Sequence, residues 1–172
     1  MNKIGIADYG MDVWDGGCFH LGGRLALLKS IGADGIEWLK ADNASEAVQN
    51  ASLFHGMGMD FVSCRSSDPE MSLKLASAFG KEYVWFPMNC GRDIPFDVYC
   101  RQANAFVEAA ARYGVQGALH NHLGSRVETM AELDAFMNAV PGALLLLDVG
   151  HLHAAGGDCV EAVGKYGDRL AS

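Results

Sequence analysis

Leu144-Leu145-Leu146-Leu147-Asp148-Val149-Gly150-His151-Leu152-His153 decides how this chain is read. Four leucines make a strand buried on both faces, and the run then stops at Asp and His. Earlier, Gly117-Ala118-Leu119-His120-Asn121-His122 does the same thing: an apolar strand finishing in imidazoles. Packing gives a core strand no reason to end this way. A site built where parallel strands end does give one, because such ends converge on a shared crevice. Neutral imidazole and carboxylate together suit divalent zinc, cobalt, iron or manganese.

Outward from these two strands the chain alternates strand and helix. Apolar runs place strands at Lys3–Ala7, Gly35–Leu39, Asp60–Cys64, Tyr83–Pro87, Gln116–His120 and Ala143–Asp148. Helices are expected at Gly22–Ile31, from Asn43 to near Gly56 or Gly58, from Asp68 to Gly80, at Phe96–Tyr113, and from Thr129 to just before Pro141-Gly142. A last helix runs from Asp158 to the chain end. Asn43 with Glu46, Thr129 with Glu132, and Asp158 with Glu161 have the spacing of N-terminal caps, and Asp68-Pro69-Glu70 supplies a cap, a first-turn proline and an acid. Six such units in series imply a parallel sheet flanked by helices. No Pro/Ser-rich linker divides them, so residues 1–172 are expected to form a single domain.

Two architectures compete. An open doubly wound sheet is complete with six strands. A (β/α)8 barrel needs two more units and typically runs to about 250 residues. Polar groups at the ends of several strands favour the barrel: Glu37 in the second, His120 in the fifth, Asp148 in the sixth. No Gly-x-Gly-x-x-Gly or Gly-Lys-Ser/Thr phosphate loop follows the first strand. The expected fold class is therefore α/β, an incomplete (β/α)8 TIM-barrel type of about six parallel units.

Composition narrows the function. Half of the 172 residues are hydrophobic, enough for a sizeable core, and the 21 glycines are scattered as turns are. The formal charge of −8, with no Lys/Arg-rich stripe, argues against nucleic acid and for a small ligand with a metal to offset the negative balance. No stretch is long and apolar enough to span a bilayer, and the start of the chain lacks a signal-peptide pattern, so a cytoplasmic protein is expected. The five cysteines are odd in number and widely spaced, and read as reduced thiols.

At these motifs the chain resembles the xylose isomerase-like TIM barrels, a superfamily of sugar isomerases and epimerases, inosose dehydratases and endonuclease IV-type repair enzymes. Gly32-Ala33-Asp34-Gly35-Ile36-Glu37-Trp38 is similar to its second strand. His120-Asn121-His122-Leu123-Gly124-Ser125 is similar to its metal-bearing middle strand, in the form of the inosose dehydratase-like branch. Leu147-Asp148-Val149-Gly150-His151-Leu152 is similar to its Asp-x-Gly-His strand. The resemblance implies a divalent metal (manganese, cobalt or zinc), weakly held, on His120 and Asp148. It places Glu37, His122 and His151 as catalytic groups around a sugar or polyol, with Asn121, Trp14 and Arg65 as substrate-binding residues. The implied chemistry is carbohydrate isomerisation or epimerisation by proton abstraction next to a carbonyl through an enediolate, or an inosose-type dehydration on the same scaffold. Trp14, Trp38 and Trp85 read as pocket walls or as core packing, Arg65 as an anion clamp or a surface ion pair, and Asp148 as a ligand, a helix cap or a salt-bridge partner.

The family's remaining metal ligands belong to strands seven and eight, which this pattern does not reach. Three readings stay open: a fragment of a longer product, a homo-oligomer that covers the exposed sheet edges, or an inactive barrel acting as a binding or assembly module. The endonuclease branch is disfavoured, because its strand-three and strand-four histidines are replaced by Ser63-Cys64-Arg65 and Trp85-Phe86-Pro87-Met88.

Overall fold

The computed structural model describes residues 3–11, 20–88 and 90–171. The chain divides into two compact units, Met1–Lys81 and Glu82–Ser172, each built on a three-stranded parallel sheet. Trp14 and Cys18 lie outside the described residues.

The first unit runs β1 (Gly5–Ile6), α1 (Leu21–Ser30), β2 (Gly35–Lys40), α2 (Ala44–Met57), β3 (Asp60–Arg65) and α3 (Pro69–Ala78), with strand order β1-β2-β3. The sequence spacing works here for local reasons. Asn43 caps α2 by accepting from the Glu46 N–H at 2.9 Å, and Glu46 turns back to the Asp42 N–H, one residue short of a reciprocal box. Gly58 closes α2 in the left-handed region, φ 60°, where a side chain would be strained. Asp68 and Pro69 open α3 as expected. Phe54, Phe61 and Phe79 meet at steep ring angles, 58° and 88°, between the sheet and its helices. A buried ion pair, Arg24 to Asp8 at 3.0 Å, follows the end of β1.

The second unit runs β4 (Tyr83–Trp85), α4 (Phe96–Arg112), β5 (Gln116–His120), α5 (Met130–Ala139), β6 (Leu144–Leu146), α6 (Val149–Ala154) and α7 (Cys159–Tyr166). Its strand order is β4-β5-β6. The apolar stripe of α4 (Tyr99, Ala103, Phe106, Ala110) is buried as its period requires. Phe136, Leu133, Leu145 and Leu152, all 0% exposed, form the centre of this core. Gly117 lets α4 pack closely on β5: a Cβ there would lie 2.7 Å from the Phe86 ring and 3.1 Å from that of Phe106. Thr129 and Glu132 make a full reciprocal capping box on α5.

Two expectations change. The strand expected over Ala143–Asp148 pairs only through Leu146, because the chain leaves the sheet at Leu147 to begin α6, a helix that the apolar pattern hides. The last helix does not run to the chain end: α7 stops at Tyr166, a 3-10 turn covers Gly167–Arg169, and Leu170 then bridges Leu145 in parallel. The Ala171 N–H donates to the Leu145 carbonyl at 2.8 Å, so the far side of β6 is partly paired rather than bare. Arg169 holds this return in place by donating to the carbonyls of Met137, Val140 and Ala143. The fold class is that of an incomplete (β/α)8 barrel: two three-stranded parallel sheets, each strand followed by helix.

Candidate metal centre in the second unit

The site grows from the ends of β5 and β6. His120 is the last residue of β5, in register with Leu146 of β6. Strand alternation puts His120 and His122 on one side of the chain and Asn121 on the other. Asp148 is the N-cap of α6, and its Oδ1 accepts the His151 N–H at 2.8 Å. The sequence motif Asp-x-x-His is thus a cap and the third residue it caps, which fixes where the His151 ring starts.

These two strand ends bring three imidazoles together. His120, His122 and His151 each offer a ring nitrogen, and the three atoms lie within 4.8 Å of one another. The His122 and His151 rings are 3.8 Å apart between centroids, and His120 lies 5.7 and 5.8 Å from them. Trp85 stacks on the His120 ring, with centroids 4.3 Å apart and planes 23° from parallel. In the sequence Trp85 is open between pocket wall and core; its ring backs the site.

The electrostatics favour a neutral His120. Burial pushes its pKa below the ordinary 6.5; the carboxylate of Asp148 pulls it upward, while the neighbouring His122 and His151 push it further down. A neutral imidazole is the metal-binding form. His122 Nδ1 lies 2.7 Å from the Leu123 carbonyl, an acceptor that Nδ1 can meet only as a donor, so Nε2 is the ring nitrogen left to face a cation. The Asp148 Oδ2 lies 3.7 Å from His151 Nε2, and the carboxylate is about a third exposed, at 34%.

A divalent cation fits this donor set. His120 Nδ1 is buried without a hydrogen bond to the described residues; the Leu146 backbone acts on the ring but makes no bond of ordinary geometry to that atom. Three imidazoles plus a nearby carboxylate are ligands of zinc and cobalt before magnesium. Tetrahedral zinc, with Zn–N near 2.0–2.1 Å, sets its nitrogens roughly 3.3 Å apart, within small ring rotations of the spacing seen.

The other candidates are placed differently. Asn121 is 0% exposed, and both ends of its amide are taken by the Asp148 backbone. Its neighbours in sequence hide this, since a lone Asn between two histidines reads as a third polar site group. Glu37 is half-buried in β2 of the first unit, and Arg65 ends β3 there, its guanidinium 4.3 Å from the Trp38 ring centroid. His153, on α6, and His55, on α2, are exposed, as a surface reading expects.

Comparison with known proteins identifies the family. The sequence profile of the xylose isomerase-like TIM barrel family matches residues 67–171, and the chain belongs to that family. Inosose dehydratase of Lactiplantibacillus plantarum is 35% identical over 80 residues, 45% of this chain and 27% of that enzyme. The chain thus aligns with only part of the curated relatives' length. Among solved structures, the probable 3-DHS dehydratase of Bacillus anthracis superposes with a TM-score of 0.77 at 14% identity, covering 98% of this chain and 71% of that one. L-ribulose 3-epimerase gives 0.75 at 16% identity, covering 99% and 68%. The IOLI protein with a bound zinc atom gives 0.72 at 18%, covering 99% and 71%. At these identities the superpositions establish the fold alone.

Among the described residues no helix is long and apolar enough to cross a membrane.

Proposed function

We propose that the chain carries a divalent-cation site for proton transfer beside a carbonyl group of a sugar, sugar phosphate or polyol-derived ketone. The convergence of His120, His122 and His151 at the ends of β5 and β6 carries this reading. His120, its ring backed by Trp85, would be one ligand of the cation, and Asp148 presents its Oδ2 beside His151. When bound, such a cation polarises a carbonyl oxygen and lowers the pKa of the adjacent C–H or O–H.

The chain's own residues then divide the work. His122, exposed and with Nδ1 tied to the Leu123 carbonyl, offers Nε2 to hold the cation or to take a proton from substrate. His151 stands 3.8 Å from it, close enough for the two rings to act on one cation. Glu37 and Arg65 remain candidate substrate groups of the first unit. A homo-oligomer is part of this proposal. Isomerisation and epimerisation differ only in where the proton returns. Inosose-type dehydration, in which a β-hydroxyl leaves instead, is the second reading, favoured by the 35% identity to an inosose dehydratase.

The test is direct. The protein is titrated with zinc, cobalt and manganese by calorimetry, then incubated in D2O with a panel of ketoses and with an inosose. Stoichiometric cation uptake and NMR-detected C–H exchange, both lost in His120→Gln, are expected. Absence of uptake at millimolar metal would end the proposal. Uptake without exchange on any substrate would reduce it to a binding module.

A further inference from the structure

Asn121 sits between two site histidines, yet it faces away from them. Its side chain is wholly enclosed, and its amide makes two bonds to one residue just past the end of β6: Oδ1 accepts the Asp148 N–H at 2.8 Å, and Nδ2 donates to the Asp148 carbonyl at 2.9 Å. The β5–β6 ladder ends at the His120–Leu146 pair. Past that point the Asn121 amide takes over as a substitute peptide group, with one donor and one acceptor used once each.

The residue it grips is the one on which His151 depends. Asp148 caps α6, and its Oδ1 holds the His151 N–H at 2.8 Å. A continuous path of hydrogen bonds therefore runs from the backbone that carries His120 and His122, through the Asn121 amide and the Asp148 cap, to the backbone that carries His151.

We infer that Asn121 is the positioning residue of the histidine cluster: it sets the separation of the β5 imidazoles from the α6 imidazole without touching the cation or the substrate. The inference rests on the proposed function for its metal readout and on the cluster's geometry alone for its other readout. Ligand-orienting residues outside the coordination sphere typically change metal affinity by about 10–100-fold when removed. Among side chains of this size only an amide suits both bonds: Asn121→Asp would leave two acceptors and no donor, and Asn121→Leu would leave neither.

Three proteins are compared: wild type, Asn121→Ala, and Val140→Ala as a control. Val140 lies in the same core, is 0% exposed, and belongs to no part of the cluster. The first readout needs no metal. In wild type the His122 and His151 rings are close enough for a ring-proton NOE. That NOE is expected to vanish in Asn121→Ala and to persist in Val140→Ala. The second readout is zinc affinity and the visible spectrum of the cobalt form. Asn121→Ala should weaken zinc by about 10–100-fold and shift the cobalt bands, while Val140→Ala, though destabilised, does neither. If Asn121→Ala does not fold, amide exchange in wild type decides: the Asp148 N–H should be protected, and protected further by zinc. An unprotected Asp148 N–H, a retained NOE in Asn121→Ala, or equal zinc affinity in the two variants would overturn the inference. Wild type that keeps the NOE pattern but takes up no zinc would refute the metal reading and leave the clamp standing.

Discussion

Asp148 does two separable jobs, and two substitutions pull them apart. Its Oδ1 caps α6 through the His151 N–H at 2.8 Å; its Oδ2, 3.7 Å from His151 Nε2, supplies charge to the cluster. Asn is as good an N-cap as Asp, so Asp148→Asn keeps the cap and removes only the charge. Asp148→Ala removes both. The cap opens a helix of six residues, and its loss should cost about 1 kcal/mol. In a chain of this length that lowers Tm by about 2–4 °C. Asp148→Asn should melt within about 1 °C of wild type, yet bind zinc at least about tenfold more weakly, since one charged hydrogen-bonding or ligating group contributes about 1.4 kcal/mol or more. Calorimetric melting and zinc titration on the same preparations give both numbers. Wild-type zinc affinity in Asp148→Asn would show that the carboxylate is a cap and nothing more. A large Tm loss in Asp148→Asn would show that the capping geometry is misassigned.

Other expectations concern the scaffold under the site. Glu132 is partly buried, which raises its pKa, but Arg92 and the Thr129 and Glu128 N–H groups outweigh this and hold it at about 2 instead of 4.5. A carboxyl with a lowered native pKa stabilises the fold fully above pH 4.5, and that contribution is lost as pH falls toward 2. Because Arg92 is 43% exposed, Glu132→Gln should cost only about 1 kcal/mol at pH 7, in urea unfolding, and the gap should shrink by about pH 3; a gap that grows on acidification would contradict the assignment. Phe136→Ala, at a 0% exposed position in the centre of the second unit's core, should cost about 3–5 kcal/mol, measured in the same way. A loss below about 1 kcal/mol would mean that this core is not packed as described.

Much of the fold is legible because it is written in local rules. Caps at Asn43, Asp68, Thr129 and Asp158 all act where the spacing places them, since an N-cap needs only its own side chain and the next turn. The six strands follow from apolar runs bounded by glycine and acid. What the pattern misses has physical reasons too. Helix α6 is invisible because its residues continue the polar end of a strand and it has only six of them. Leu170 reads as helix because a single residue that pairs with a distant strand leaves no periodic trace.

The sequence by itself determined the order of the six strands and of every helix but α6, the family, and the fact that imidazoles and a carboxylate stand where two parallel strands end. Those depend on residue type and on spacing of a few positions. Only the tertiary structure decided which of them meet. It set ring nitrogens of three histidines from two segments within 4.8 Å of one another, gave Asp148 to a helix as its cap, and closed the buried Asn121 amide on the Asp148 backbone. The reason is that contact across strands is fixed by register and by which face a side chain takes, and a polar residue looks the same in the sequence whether it points into a site or behind it.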